Sequence, residues 1–233
     1  MMWGWFDPLY LLFMVPGMLL AAWAQFKLKR AYAEASRIGA QSGYSGAETA
    51  HVLMESAGIH NVGIEPVQGF LSDHYSPKEK MLRLSPDVFE GRSLAALGIA
   101  AHESGHALQD AHHYAPLRIR NLLVPLAGFG SNAAWIILVI GFVLHLMGLI
   151  LVGIIAFSAT VVFQLVNLPV EFDASRRARQ VLLSSGLVTQ EEDYYVKKVL
   201  RAAAMTYVAA TLTSVLTLLY FLIRSGLLGG RRS

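Results

Sequence analysis

Four stretches of the chain, residues 8–26, 121–144, 149–168 and 203–223, run without a single acidic or basic side chain. Each has the length of roughly 20 apolar residues with which a helix crosses a hydrocarbon core. Backbone in lipid must satisfy its own N–H and C=O groups, which restricts such stretches to helices. Composition agrees: 55% of the 233 residues are hydrophobic and 15% charged, against about a quarter charged in soluble domains. Pro16 and Gly17 interrupt the first stretch. Only His145, Leu146, Met147 and Gly148 separate the second from the third, which reads as an antiparallel hairpin. The expected fold class is a mainly α membrane protein with four transmembrane helices.

Ala22-Trp23-Ala24 is similar to a signal-peptide cleavage site. However, Asp7 precedes the apolar run, no Lys or Arg does, and Lys27, Lys29 and Arg30 follow it. That order favours a retained anchor with its N-terminus outside. Four spans then put residues 27–120 and 169–201 on one side. That side carries Lys27, Lys29, Arg30, Arg118, Arg120, Arg176, Arg177, Arg179, Lys197, Lys198 and Arg201, against Arg224, Arg231 and Arg232 on the other. The positive-inside rule assigns the two polar segments to the cytoplasm. With a net charge of +3 and no continuous basic patch, the expected partners are the lipid bilayer and not nucleic acid. The chain has no cysteine, which excludes disulfides, thiolate metal sites and cysteine nucleophiles.

Between the spans, the periodicity predicts helix from residue 27 with breaks near Gly39 and Gly43, and an amphipathic helix over 46–57. Extended segments follow at 61–67, 69–75 and 80–84, with a Ser76-Pro77 turn, which suggests a small antiparallel sheet. Residues 80–84 could pair an extended peptide along a strand edge. Ser85-Pro86-Asp87 opens a short helical turn with Pro at its first position. Ser93 opens a longer helix that must stop before Pro116.

Within that helix stands Ala101-His102-Glu103-Ser104-Gly105-His106-Ala107-Leu108. Residues four apart share a helix face, so both imidazoles can reach one metal ion. Two neutral His ligands suit zinc. Glu103 would lie beside the metal without binding it, placed to take a proton from a metal-activated water and return it to a leaving amine. A catalytic site needs a third protein ligand. His112 has the metzincin spacing, but Gln109 stands where that motif needs a chain-turning glycine. Glu171 follows the third span and returns to the side of His102. An acid so close to an apolar span is costly unless paired or metal-bound. Asp173 is the local substitute. His74, Tyr75, Arg176 and Arg179 are available as oxyanion donors.

The run from His102 to Gln109, the segment Leu168-Pro169-Val170-Glu171-Phe172-Asp173-Ala174-Ser175, and Leu71-Ser72-Asp73-His74-Tyr75 through Leu82-Arg83-Leu84-Ser85-Pro86 resemble the bacterial YugP-type membrane zinc metallopeptidases. The likeness covers most of the chain. The arrangement is in turn similar to HtpX-like membrane gluzincins, which pair a His-Glu-x-x-His helix with a Glu-x-x-x-Asp motif on a later helix. The resemblance implies His102, His106 and Glu171 as ligands of one Zn2+ per chain, Glu103 as catalytic base, and a small gluzincin-like α+β unit. Ser175 stands where the gluzincin pattern has Asp, so the residue orienting a His ligand differs here.

The expected organisation is an anchor (1–26), a membrane-proximal catalytic segment (27–120), a transmembrane hairpin (121–168), a second catalytic-side segment with the third ligand (169–202), and a last span with a basic tail (203–233), all one functional unit. The expected function is a zinc-dependent endopeptidase acting on membrane or membrane-associated unfolded polypeptides. Its expected location is a bacterial plasma membrane, with the active site on the cytoplasmic face. The alternative is a non-catalytic membrane scaffold with a structural zinc.

Overall fold

The computed structural model describes residues 7–69 and 72–228. Leu71, the first residues of the expected anchor and the tail arginines Arg231 and Arg232 lie outside that range. The order is α1 (Pro8–Ala35), α2 (Gly46–Ser56), β1 (Gly63–Pro66), β2 (His74–Ser76), β3 (Met81–Leu84), α3 (Pro86–Phe89), α4 (Leu94–Ala111), α5 (Ala115–Val143), α6 (Met147–Ser184) and α7 (Gln190–Arg224). Two compact units emerge, one of residues 1–23, 119–168 and 206–233 and the other of 24–118 and 169–205. Helices α1, α5, α6 and α7 each contribute to both.

In the first unit, Ala134, Leu138, Ile150, Ile154, Phe157, Val161 and Phe221 form the buried cluster. Phe221 meets Trp135 edge-on at 5.4 Å. Small residues let the helices approach: a Cβ on Gly130 would fall 2.5 Å from the Ala156 carbonyl oxygen. The outward faces stay apolar, with Leu12, Leu122 and Ile155 all well exposed. Asp7 accepts a hydrogen bond from the Tyr220 hydroxyl at 2.9 Å and pairs with Arg224.

Three helices, α1, α6 and α7, are long and apolar enough to cross a membrane among the described residues. The expected second span falls on α5, which bends by 43° between Ala115–Gly128 and Ala133–Val143 and makes a fourth only if the bent pair counts as one. Helix α6 also passes through Pro169 without a break, so the third apolar stretch and the segment carrying Glu171 are one helix.

In the second unit, α2 packs along α4 over a core in which Leu53, Leu82, Leu84, Val88, Leu94 and Leu97 are wholly buried. Each such side chain contributes about 2 kcal/mol. Local chemistry sets the helix starts. Ser45 and Glu48 form a reciprocal capping box on α2, Thr189 and Glu192 form another on α7, and the Ser93 hydroxyl accepts from the Ala96 N–H on α4. Helix α4 stops where His113 adopts a left-handed conformation, with φ of 52°.

The sheet corrects one expectation. Its order is β1-β3-β2, with β2 antiparallel and β1 parallel to β3, so it is mixed. The Ser76-Pro77 turn closes a local β2–β3 hairpin, whereas β1 reaches β3 over a longer connection that leaves its direction free. Residues 81–84 are therefore the central strand, with both edges occupied. Residues 80–84 thus offer no free edge to a peptide.

Candidate metal centre

Helix α4 carries His102 and His106 one turn apart, their rings 4.9 Å between centroids and tilted by 78°. Helix α6 brings in Glu171, which is 3% exposed. Glu171 Oε2 lies 3.2 Å from His102 Nε2 and 3.8 Å from His106 Nε2. One ligand atom from each of the three residues falls within 4.8 Å of the others. Donors around a tetrahedral zinc are separated by about 3.3 Å, against 3.2 and 3.8 Å from Glu171 to the two rings here. Gly105, inside the motif, permits the approach of α6: a Cβ there would stand 2.5 Å from the Ala174 carbonyl oxygen.

The outer nitrogens of both rings are held. The Gln109 amide nitrogen donates to the Val170 carbonyl at 2.8 Å and to Asp173 Oδ2 at 3.0 Å. With its donors so engaged, the Gln109 oxygen must be what faces His106 Nδ1, 3.0 Å away. That oxygen only accepts, so Nδ1 carries a proton and Nε2 is the ring atom turned toward the Glu171 carboxylate. His102 Nδ1 meets Ser175 Oγ at 3.1 Å, so Ser175 contacts a candidate ligand. A metal bound by the two Nε2 atoms and Glu171 fits this donor set, and two imidazoles with one carboxylate suit zinc.

Glu103 lies next to this group and outside it. Its Oε2 accepts from the Tyr75 backbone N–H of β2 at 3.1 Å. Burial is the main cause that pushes its carboxyl up to about 7. The His102 ring opposes the rise, and the Glu171 and Asp73 carboxylates reinforce it. A carboxyl in that range can both take and release a proton near neutrality.

The other candidates are engaged elsewhere. Asp173 is ion-paired to Arg177 at 2.6 Å and to Arg176. These arginines and Gln109 hold its carboxyl below the usual range despite its burial, which acts the other way. His112 caps the end of α4, exposed, with Nδ1 3.2 Å from an Arg177 nitrogen. Neither joins the ligand group among the described residues. Of the possible oxyanion donors, His74 contacts the Ser72 carbonyl, the Tyr75 hydroxyl donates to Asp110 at 2.7 Å, and Arg179 is doubly bonded to Asp193. Sequence reasoning treated Gln109 only as a missing glycine. Its spacing of three from His106 was the available signal, since i and i+3 share a helix face.

A family model described as "Putative neutral zinc metallopeptidase" matches residues 10–226. The chain belongs to that family. It is 44% identical over 215 residues to the protein named "Putative membrane protease YugP" of Bacillus subtilis (strain 168), covering 92% of this chain and 96% of that relative. No solved structure matches the chain. The apolar helices accord with a membrane protein of this neutral zinc metallopeptidase family.

Proposed function

We propose that the protein is a membrane-embedded zinc endopeptidase that hydrolyses peptide bonds of unfolded membrane or membrane-associated polypeptides. His102, His106 and Glu171 would hold one zinc ion and Glu103 would serve as base. The observation that carries this reading is the convergence of two Nε2 atoms and a buried carboxylate oxygen, with a second carboxylate alongside that stays off the group. When bound, zinc would polarise the attacked carbonyl and acidify water. Gln109 and Ser175 hold the two rings by their Nδ1 atoms, so that both Nε2 atoms face inward. Glu103 accepts the proton of the attacking water and passes it to the departing amine. The Tyr75 N–H steadies that carboxylate through Oε2.

The basic residues flanking the apolar stretches support a cytoplasmic site in a bacterial plasma membrane, and the Bacillus relative is in keeping with that compartment. Glu103→Gln tests the mechanism. Zinc content by mass spectrometry should equal that of the wild type, while cleavage of unfolded casein in detergent should fall at least a hundredfold. Undiminished cleavage would end this reading, and loss of zinc would move Glu103 into the ligand set.

A further inference from the structure

We propose that the cleft between α6 and α7 is a subsite for acidic side chains of the polypeptide substrate. The cleft measures about 380 Å³ and is lined by Ser175, Arg176 and Arg179 of α6 and by Lys197, Leu200 and Arg201 of α7, with no acidic residue on its wall. Asp193 pairs with Arg179, and Asp173 is shared between Arg176 and Arg177. Lys197 and Arg201 are exposed, share a face of α7 four residues apart, and have no ion pair among the described residues. The cleft therefore carries positive charge in excess, above an apolar floor that accommodates the stem of a Glu or Asp side chain.

Ser175 ties the cleft to the candidate centre, because the same hydroxyl that contacts His102 also lines the cleft. Arg176 and Arg179 stand five and eight positions beyond Glu171 on α6, about 7.5 and 12 Å along its axis. An extended peptide covers about 3.4 Å per residue. The acidic residue would therefore sit about two to four positions from the cleaved bond. An anionic phospholipid headgroup has the same charge, but the wall shared with the metal centre favours the peptide.

The subsite rests on the peptidase reading, and its test does not need turnover. Full-length Glu103→Gln protein in detergent is titrated with fluorescent unfolded peptides that differ only by Glu against Gln two to four positions from the centre. Anisotropy should show about three- to tenfold tighter binding of the acidic peptide at low salt, shrinking at high salt. Adding Lys197→Glu and Arg201→Glu, or the milder Gln pair, should abolish the preference. Equal affinities, or a preference that survives these changes, would overturn the subsite. So would a loss of binding to phosphatidylglycerol vesicles without any change in peptide affinity, since the cleft would then serve lipid. If acidic peptides bind selectively and the wild type cleaves nothing, the hydrolase reading falls and the cleft stands only as a binding site for acidic peptides. If the wild type cleaves both peptides equally, the subsite falls alone.

Discussion

Burial pushes the Glu103 carboxyl from the usual 4.5 to about 7, because the charged form loses water and gains only one backbone donor. At 1.36 kcal/mol per tenfold change in acidity, this is at most about 3 kcal/mol. The sign follows from linkage. With the folded value above the unfolded one, the contribution to stability is complete below about pH 4.5 and is lost as pH rises through about 7. Metal-stripped Glu103→Gln protein should therefore melt several degrees above the wild type at pH 8 and level with it at pH 4. Coincident melting curves at pH 8 would contradict the assignment. Gln109 acts through His106, so Gln109→Ala should weaken zinc affinity by about 10- to 100-fold. Competition with a chromogenic chelator would measure that loss, and unchanged affinity would show that the amide does not orient the ring. That His102 and His106 would stand side by side on one helix, with Glu103 beside them, was legible in sequence because that geometry is set by one helical turn. The contact of Ser175 was not, because it joins positions 73 apart; Gln109 stands three positions from His106, but which end of its amide faces the ring is set by the Val170 carbonyl 61 positions away.

At the scale of elements, helix starts were readable for a related reason. Ser45 and Ser93 cap through atoms three residues on, and Pro86 marks the start of α3 by its place at the first position. The β1–β3 pairing was not readable, since nothing local distinguishes a parallel from an antiparallel neighbour across 18 positions. Pro169 misled in the other direction: it marks an apparent boundary, yet α6 passes through it. The α4–α6 contact gives a direct test. Gly105→Ala must push against the Ala174 backbone, at about 1–3 kcal/mol. It should lower both the melting temperature and the zinc content, because Ala174 lies between Asp173 and Ser175. Normal zinc content with normal melting would show that α4 and α6 can separate at no cost.

For the whole molecule, the apolar stretches were legible as helices because composition alone decides what lipid tolerates, whereas composition does not encode the bend in α5. The absence of cysteine makes the proposed orientation measurable. In intact cells, a membrane-impermeant maleimide should label His145→Cys, in the turn between α5 and α6. It should spare Ser56→Cys, at the end of α2, until the membrane is opened. The reverse pattern would put the metal centre on the outer face.

On the proposed mechanism, the strand bond to Glu103 bears on the path of the proton. With Oε2 holding the Tyr75 amide, Oε1 is the oxygen turned away from that bond. The proton collected from water and the one handed onward would thus ride the same oxygen, and a small tilt of β2 would redirect both transfers together.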